Sequence, residues 1–425
     1  MSAPRIDPER LATAEWLTRS STQSVMTALT VEGHRVCVVG GAVRNGLLGE
    51  KVADIDMATD ARPETVMTLA RRAGLKAVPT GIEHGTVTVI AGGVPYEVTT
   101  LRDDVETDGR RARVHFGRDW KRDAERRDFT INALYATAKG EVVDLVGGLA
   151  DIESRTIRFI GDAETRIRED YLRVLRFFRF FAWYGSGRPD AAGLKACARL
   201  KDGLDRLSAE RVWAEIKKLL AAPDPSRALL WMRQASVLTR ALPESEKWGI
   251  DFIHPLVKAE ADLTWEPDPL LRLQALIPPE AERMAALAER LRLSGAEAKR
   301  LKAWAKQAPI PATTTEQALG RMLYGGDPQA IDDRLRHALA VARGKAVADD
   351  AAMMEAGGYS RLMKFAAQWQ RPEFPLKGAD LKELGFGAGP RLGAALKILE
   401  GEWIASGFTL RRDALLQRAA TMAKG

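Results

Sequence analysis

VCVVGGAVRNGLLGEKVADIDMAT, residues 36–59, decides the fold. Val36 to Val39 is a short apolar run that stops at Gly40-Gly41, and Ala42 to Leu48 then follows helical spacing, so the stretch opens as strand, glycine turn and helix. Paired glycines let the backbone approach a ligand closely, and the first helical turn leaves amide N–H groups without partners. Such a corner suits a phosphate. Arg44 lies in that turn and can add charge-assisted bonds to the same anion. Further on, Asp54 and Asp56 alternate with Ile55 and Met57, and period two predicts a strand with both carboxylates on one face, roughly 6.5–7 Å apart. Like charges held that close call for a cation between them. All-oxygen donors point to Mg²⁺, with Mn²⁺ also suited. A glycine pair alone is ordinarily only a turn, and an isolated Asp-x-Asp only a solvated strand edge; their order and spacing together give the stretch its meaning.

Composition sets the outer bounds. A chain of 425 residues, 46% hydrophobic and 28% charged, is an ordinary globular sequence, long enough for roughly two to four domains. It has no run of about 18 apolar residues, so no membrane span is expected. The start, MSAPRIDPERLATAEW, has no apolar h-region, and its acidic residues argue against a transit peptide, so the expected location is cytoplasmic. Cys37 and Cys197 lie far apart and give neither a metal site nor a disulfide framework. The net charge of +7 is compatible with a polyanionic partner.

Read along the chain, residues 8–29 have helical periodicity and form a leader, 1–32. From 33 to 150 strands and helices alternate: Glu64 to Ala73 reads as helix, Thr86 to Ile90 and Tyr96 to Thr100 as strands around a Gly92-Gly93 turn. Beyond Asp151 strand signals almost vanish and Ala, Leu, Arg and Glu dominate. The expected fold is therefore α+β: a head with a mixed sheet, followed by an all-α neck (151–225), body (226–350) and tail (351–425), with seams at proline clusters.

The 36–59 stretch resembles the head motif of the DNA polymerase β superfamily of nucleotidyltransferases. Its GGAVRxxLLG form is similar to the branch holding bacterial class II tRNA CCA-adding enzymes and poly(A) polymerases. That family usually carries Asp where this chain has Asn45. The resemblance continues in ERRDFTINAL, Glu125 to Leu134, where Arg126, Arg127 and Asp128 crowd charge at an expected helix start and Phe129, Ile131 and Leu134 anchor it. It implies that Arg127 contacts the nucleotide and that Asp128 and Asn132 fix its neighbours. On a second strand Glu97 repeats the apolar, acidic, apolar pattern and stands as a candidate general base or support for the metal pair; the alternative is an exposed strand Glu or a structural partner for an Arg. Residues 103–118, DDVETDGRRARVHFGR, read as a mobile loop whose Arg110, Arg111 and Arg113 are candidates for RNA contact. GIEHGTVTV, 81–89, looks more like CCA-adding enzymes than poly(A) polymerases, and DLVGGLAD, 144–151, fits the family's link from head to neck.

EDYLRVLRFFRFF, 169–181, places Asp170, Arg173, Arg176 and Arg179 every third residue along an expected helix, a polar band roughly 13 Å long. Alone it would be an amphipathic helix with an Asp170–Arg173 pair. Cytosine and adenine share an exocyclic amino donor beside a ring-nitrogen acceptor, whereas guanine and uracil show a carbonyl beside a ring N–H. A carboxylate only accepts and a guanidinium only donates, so Asp170 and Arg173 match C or A and leave charges mispaired against G or U. In the CCA-adding family the matching motif has this role, and the match carries Arg176 and Arg179 toward the triphosphate. Tyr171 stands where the family usually has Pro. Lys217 and Lys218 in SAERVWAEIKKLL, and Gly389 and Arg391 in GFGAGPR, are further RNA-phosphate candidates. The reading is template-independent addition of CCA to tRNA from CTP and ATP by two-metal nucleotidyl transfer, with two Mg²⁺ ions held by Asp54 and Asp56 and no membrane or protein partner implied. Poly(A) synthesis, CC- or A-addition alone, and an inactive RNA-binding adaptor are the alternatives.

Overall fold

β1 (Val36–Val39) forms where the apolar run places it, with all four side chains buried, as suits a strand covered on both faces. The computed structural model describes residues 8–108, 111–245, 249–346 and 349–424. They divide into two units between Ala241 and Leu242.

In the first unit, α1 (Glu15–Thr18) and α2 (Ser20–Thr30) make the expected leader, and β1 is followed by α3 (Gly41–Leu48), β2 (Asp56–Thr59), α4 (Pro63–Arg72), β3 (Lys76–Gly81), β4 (Thr86–Ala91) and β5 (Val94–Thr100). Later strands β8 (Leu134–Ala136) and β9 (Val142–Asp144) complete a seven-stranded sheet of order β3-β4-β5-β2-β1-β8-β9. Only β2 and β5 pair in parallel, so the sheet is mixed as expected. Register positions the site: Val39 opposes Asp56, and Asp56 lies beside Glu97, with neighbouring strands about 4.8 Å apart. The end of β1, with its glycine turn, therefore meets the start of β2. Asp54 and Asp56 are exposed while Ile55 and Met57 are buried, which is the expected alternation. The ladder itself begins at Asp56, because β1 ends at Val39 and turns away; Asp54 lies just ahead of the strand rather than within it.

Two expectations are corrected. Instead of a mobile loop, the 103–118 segment forms an antiparallel hairpin, β6 (Arg102–Asp108) with β7 (Arg111–Phe116). Backbone pairing makes a strand without apolar alternation, and Asp108-Gly109 is the turn signal that marks it in the sequence. Arg110 lies outside the described residues; Arg111 and Arg113 fall on β7. The second correction concerns Arg126, Arg127 and Asp128, which follow the end of α5 (Trp120–Glu125) rather than opening a helix. Asp119 caps that helix by accepting the Lys121 and Arg122 N–H groups, so the start signal lay further upstream. Phe129, Ile131 and Leu134 are buried, as expected of anchors.

Asp144 accepts backbone N–H bonds from Val146, Gly147, Gly148 and Leu149. That turn leads into an all-helical run: α6 (Gly148–Glu153), α7 (Ala163–Glu169), α8 (Leu172–Tyr184), α9 (Ala191–Leu200), α10 (Ala209–Leu220), α11 (Ser226–Gln234) and α12 (Val237–Ala241). Phe177 stacks on Phe159 at 5.5 Å between centroids and Phe129 packs against both, which fastens α8 to the head. Asp170 was expected on that helix; it precedes it in extended conformation, and its Oδ1 accepts the Leu172 N–H at 3.1 Å. A short carboxylate that bonds the backbone ahead of it favours the helix mouth over the helix interior. Tyr171 packs against Gly203, where a Cβ would stand 1.8 Å from its ring, so this position carries a packed aromatic.

Among its described residues the second unit has helices and no strand, its helices running from Ile250–Asp262 to Arg412–Lys424. One apolar cluster gathers Leu319, Leu323, Ile331, Leu335 and Leu362, another Leu381, Leu399, Trp403 and Leu415. Arg272 and Glu260, 1% and 3% exposed, pair at 2.6 Å inside it. Among the described residues no helix is long and apolar enough to cross a membrane.

Candidate active site

Where β1, β2 and α8 approach one another a cleft of about 510 Å³ opens. Its floor is the glycine corner. Gly40 takes φ 73°, in the region that favours glycine, and its carbonyl accepts the Arg44 N–H at 3.0 Å to start α3. Arg44 is 7% exposed. It donates to Asn132 Oδ1, to the Tyr184 hydroxyl at 2.9 Å and to Asn45 Oδ1 at 2.9 and 3.1 Å. Asn45 thus serves Arg44 as a neutral acceptor, and its Nδ2 donates to the Lys51 carbonyl. Among the described residues no carboxylate pairs with Arg44. Burial lowers its pKa, with Tyr184 and then Asp128 opposing; the guanidinium is held in place without a direct ion pair, which leaves it able to bind an anion.

Arg127 lines the cleft and is set by a residue the sequence reading passed over. Asp123, 1% exposed, accepts from Arg126, from Arg127 at 3.1 Å and from the Tyr135 hydroxyl at 2.8 Å. Burial by itself would raise the Asp123 carboxyl; Arg127, Arg126 and the Tyr135 hydroxyl outweigh it and hold it below the usual range. The available signal was its i,i+3 and i,i+4 spacing to the two arginines. Asp128 accepts from Arg176 Nε at 2.8 Å, from Asn132 Nδ2 at 2.9 Å and from the Phe129 N–H at 2.9 Å. Here too burial raises and the partners, Arg176 first, prevail, so the carboxyl lies below its ordinary value. Its stabilising contribution is complete above the unfolded-state pKa of about 3.9 and is lost as pH falls through the lower folded value. Urea midpoints measured between pH 3 and 7 should therefore fall less steeply on the acid side for Asp128→Asn than for wild type; parallel acid limbs would refute this.

Asp170 and Arg173 both reach the cleft, though not as a pair. Asp170 Oδ2 accepts from Arg211 of α10 at 2.7 Å. Arg173 donates to the Arg166 carbonyl at 2.6 Å and to Glu169. Arg179 departs from expectation: it does not line the cleft but faces α10, paired with buried Glu215 at 2.7 Å and 4.3 Å from the Phe180 ring centre. Three residues further along a helix is a net turn of about 60° around the axis, and from there Arg179 pairs with Glu215 of α10 rather than facing the cleft. Lys217 and Lys218 are exposed on α10. In the second unit Gly389, φ 146°, precedes the helix Pro390–Ala405 with Arg391 exposed on its first turn.

Asp56 lines the cleft floor. Its carboxyl is raised above the ordinary range, by crowding from the surrounding wall first, then by Glu97, with Asp54 adding and Arg127 opposing. Asp54, Asp56 and Glu97 do not close into a set of three metal ligands; among the described residues no such cluster exists. The donor set nonetheless fits a hard divalent cation. Such ions are commonly held by one or two carboxylates with water and substrate phosphates completing the shell, and mutually repelling oxygens are what a cation relieves.

Residues 36–158 match the poly A polymerase head domain, and 190–248 match a model described as the probable RNA and SrmB-binding site of polymerase A. Mouse CCA tRNA nucleotidyltransferase 1, mitochondrial, is 33% identical over 405 residues, spanning 93% of this chain and 88% of the mouse protein. The chain belongs to the CCA tRNA nucleotidyltransferase family. The CCA-adding enzyme of Leuconostoc mesenteroides is 41% identical over 230 residues, 53% of this chain and 56% of that enzyme. Among solved structures, the Bacillus stearothermophilus CCA-adding enzyme in complex with CTP superposes with a TM-score of 0.70 at 27% identity, covering 95% of this chain and 98% of that one. The Thermotoga maritima CCA-adding enzyme complexed with tRNA shares the fold at 20% identity and TM-score 0.66, covering 98% and 96%.

Proposed function

We infer that this CCA tRNA nucleotidyltransferase builds the CCA end of tRNA from CTP and ATP by metal-dependent nucleotidyl transfer, without a nucleic-acid template. The observation that carries this is the mouse relative, matched over most of both chains, and it is supported by a cleft lined by charges of both signs. The 3′-hydroxyl oxygen of the RNA bonds to the α-phosphorus of the incoming nucleotide, the bond to the bridging oxygen breaks, pyrophosphate leaves, and the hydroxyl proton passes to a base. Asp54 and Asp56 are proposed to hold two divalent ions, Mg²⁺ or Mn²⁺. When bound, such ions would supply Lewis-acid polarisation of the phosphate and lower the pKa of the attacking hydroxyl.

The chain's own groups do the rest. Gly40 and Gly41 let phosphate approach the α3 corner, and Arg44, Arg127 and Arg176 supply charge to it. Asp128 and Asn132 orient Arg176 and Arg44. Glu97, in register with Asp56, is proposed as base or as the group that orients Asp56. Asp170 and Arg173 are proposed to read the base edge. Arg110, Arg111, Arg113, Lys217, Lys218, Gly389 and Arg391 are proposed as RNA contacts.

The test is a tRNA transcript lacking its CCA end, incubated with the protein and Mg²⁺ and sized at nucleotide resolution. The expected products are +CC with CTP alone and +CCA with CTP and ATP, then a stop. An open ladder with ATP alone would assign poly(A) synthesis. Growth that ends at CC, or that starts only from a CC end, would assign a partial enzyme.

A further inference from the structure

Beside the cleft, and sharing Arg44 and Phe180 with it, lies a second hollow of about 230 Å³ walled by Arg179, Trp183, Tyr184 and Lys218. Its character differs from that of the cleft. The cleft mixes guanidinium groups with Asp56, Asp128 and Asp170, whereas the described residues lining the hollow include three cations and three aromatic rings and no carboxylate; Arg179 is paired behind the wall with buried Glu215, so Arg44 and Lys218 carry the charge not engaged by an ion pair. Trp183 is 40% exposed, the last aromatic but one on α8, a helix whose other large rings are mostly buried. It is not loose: its Nε1–H donates to the Lys218 carbonyl at 2.8 Å, which fixes the indole against α10. The Lys218 side chain is exposed, and the Arg44 guanidinium, 4.0 Å from the Tyr184 ring centre, has no carboxylate partner.

An indole held in one orientation at the surface among cations matches what single-stranded nucleic acid asks of a protein: a ring for the base and positive charge for the backbone. The same chemistry, base plus phosphate, occurs in a free nucleotide and in an RNA strand. Charge separates them. A nucleoside triphosphate comes with a divalent ion and is served by nearby carboxylates, which only the cleft provides. A phosphodiester carries one charge and needs cations alone. We propose that the hollow binds the last nucleotides of the RNA strand being extended, with a base stacked on Trp183 and a backbone phosphate between Lys218 and Arg179. This places Arg179 on the RNA side of Arg44 rather than on the triphosphate, in keeping with its departure from the cleft. It rests on the reading of the protein as a tRNA-extending enzyme.

The experiment is steady-state kinetics of the full chain on tRNA lacking CCA, varying tRNA and CTP separately, with salt-dependent tRNA binding. Wild-type incorporation is measured first, so that failure of the underlying reading shows there and not in the variants. Trp183→Ala should raise KM for tRNA about tenfold and leave KM for CTP within about twofold of wild type. Trp183→Phe, which keeps a ring and loses the N–H tether, should restore most of the affinity. Lys218→Ala should reduce the log–log salt slope of tRNA binding by about 0.7, the release expected for one single-strand phosphate. A rise in KM for CTP with KM for tRNA unchanged would reassign the hollow to the incoming nucleotide. Unchanged values for both, or Trp183→Phe as damaging as Trp183→Ala, would overturn the proposal.

Discussion

Asp56→Asn should abolish nucleotide addition while leaving the thermal midpoint at or above that of wild type. The two halves have one cause. Asp56 stands at the first position of β2, beside Glu97 and one residue beyond buried Ile55, where crowding and two neighbouring carboxylates push its pKa up. For a carboxyl raised in the folded state the sign is fixed: its contribution to stability is complete below the unfolded value of about 3.9 and is lost as pH rises through the folded value. At neutral pH the wild-type protein therefore carries repulsion that Asn removes, and the gap between wild type and variant should close as pH is lowered toward 4. Activity responds the other way. Stabilising the transferring phosphate by a carboxylate-held ion contributes several kcal/mol, so losing it should lower the rate by at least about 10³-fold, at roughly 1.4 kcal/mol per decade. Asp54→Asn should likewise abolish incorporation, from a position just ahead of the ladder rather than within it. Incorporation within about tenfold of wild type, or a midpoint several degrees lower with lost activity, would show that Asp56 is a structural residue.

What the sequence revealed and what it hid follow a physical line. The strand, glycine turn and helix at 36–48 and the alternation at 54–57 are local patterns, and local patterns survive without tertiary information. The all-helical remainder was legible for the same reason. The hairpin at 102–116 was missed because its strands are polar, so periodicity had nothing to mark, although Asp108-Gly109 was there to be read. Asp123 was missed because its importance lies in being buried between Arg126, Arg127 and Tyr135, a property of packing and not of its neighbours in sequence. Arg179 is not among the residues lining the cleft because its ion pair with buried Glu215 on α10 draws it aside, a packing relation that the three-residue spacing does not reveal. Asp170 was read as helical although Asp is better suited to a helix mouth. That last difference changes how the base-reading pair has to be tested.

Asp170→Asn should relax the choice of C and A over G and U by about 10²-fold or more, with tRNA affinity little changed. Ahead of α8, Asp170 is oriented by the Leu172 N–H on Oδ1 and by Arg211 on Oδ2. Arg173 is oriented by the Arg166 carbonyl and Glu169. Neither reader depends on the other for its position, so each can be replaced singly. A carboxylate presents only acceptors to a base and rewards the amino group shared by cytosine and adenine. The amide of Asn is isosteric and can turn its NH₂ outward, where it satisfies the carbonyl of uracil or guanine that the carboxylate would repel. The Asp170–Arg211 pair is partly exposed at both ends, and such pairs are worth about 1 kcal/mol or less, so lost selectivity cannot be ascribed to unfolding. Arg211→Ala supplies the control: it removes the orienting partner and keeps the carboxylate, and should preserve most of the discrimination while raising KM for both CTP and ATP. If Arg211→Ala erases selectivity as fully as Asp170→Asn, the carboxylate acts by holding α10 against the mouth of α8. If Asp170→Asn leaves misincorporation of GTP and UTP unchanged, the base edge is read elsewhere, and Arg173 with its Glu169 support becomes the next place to look.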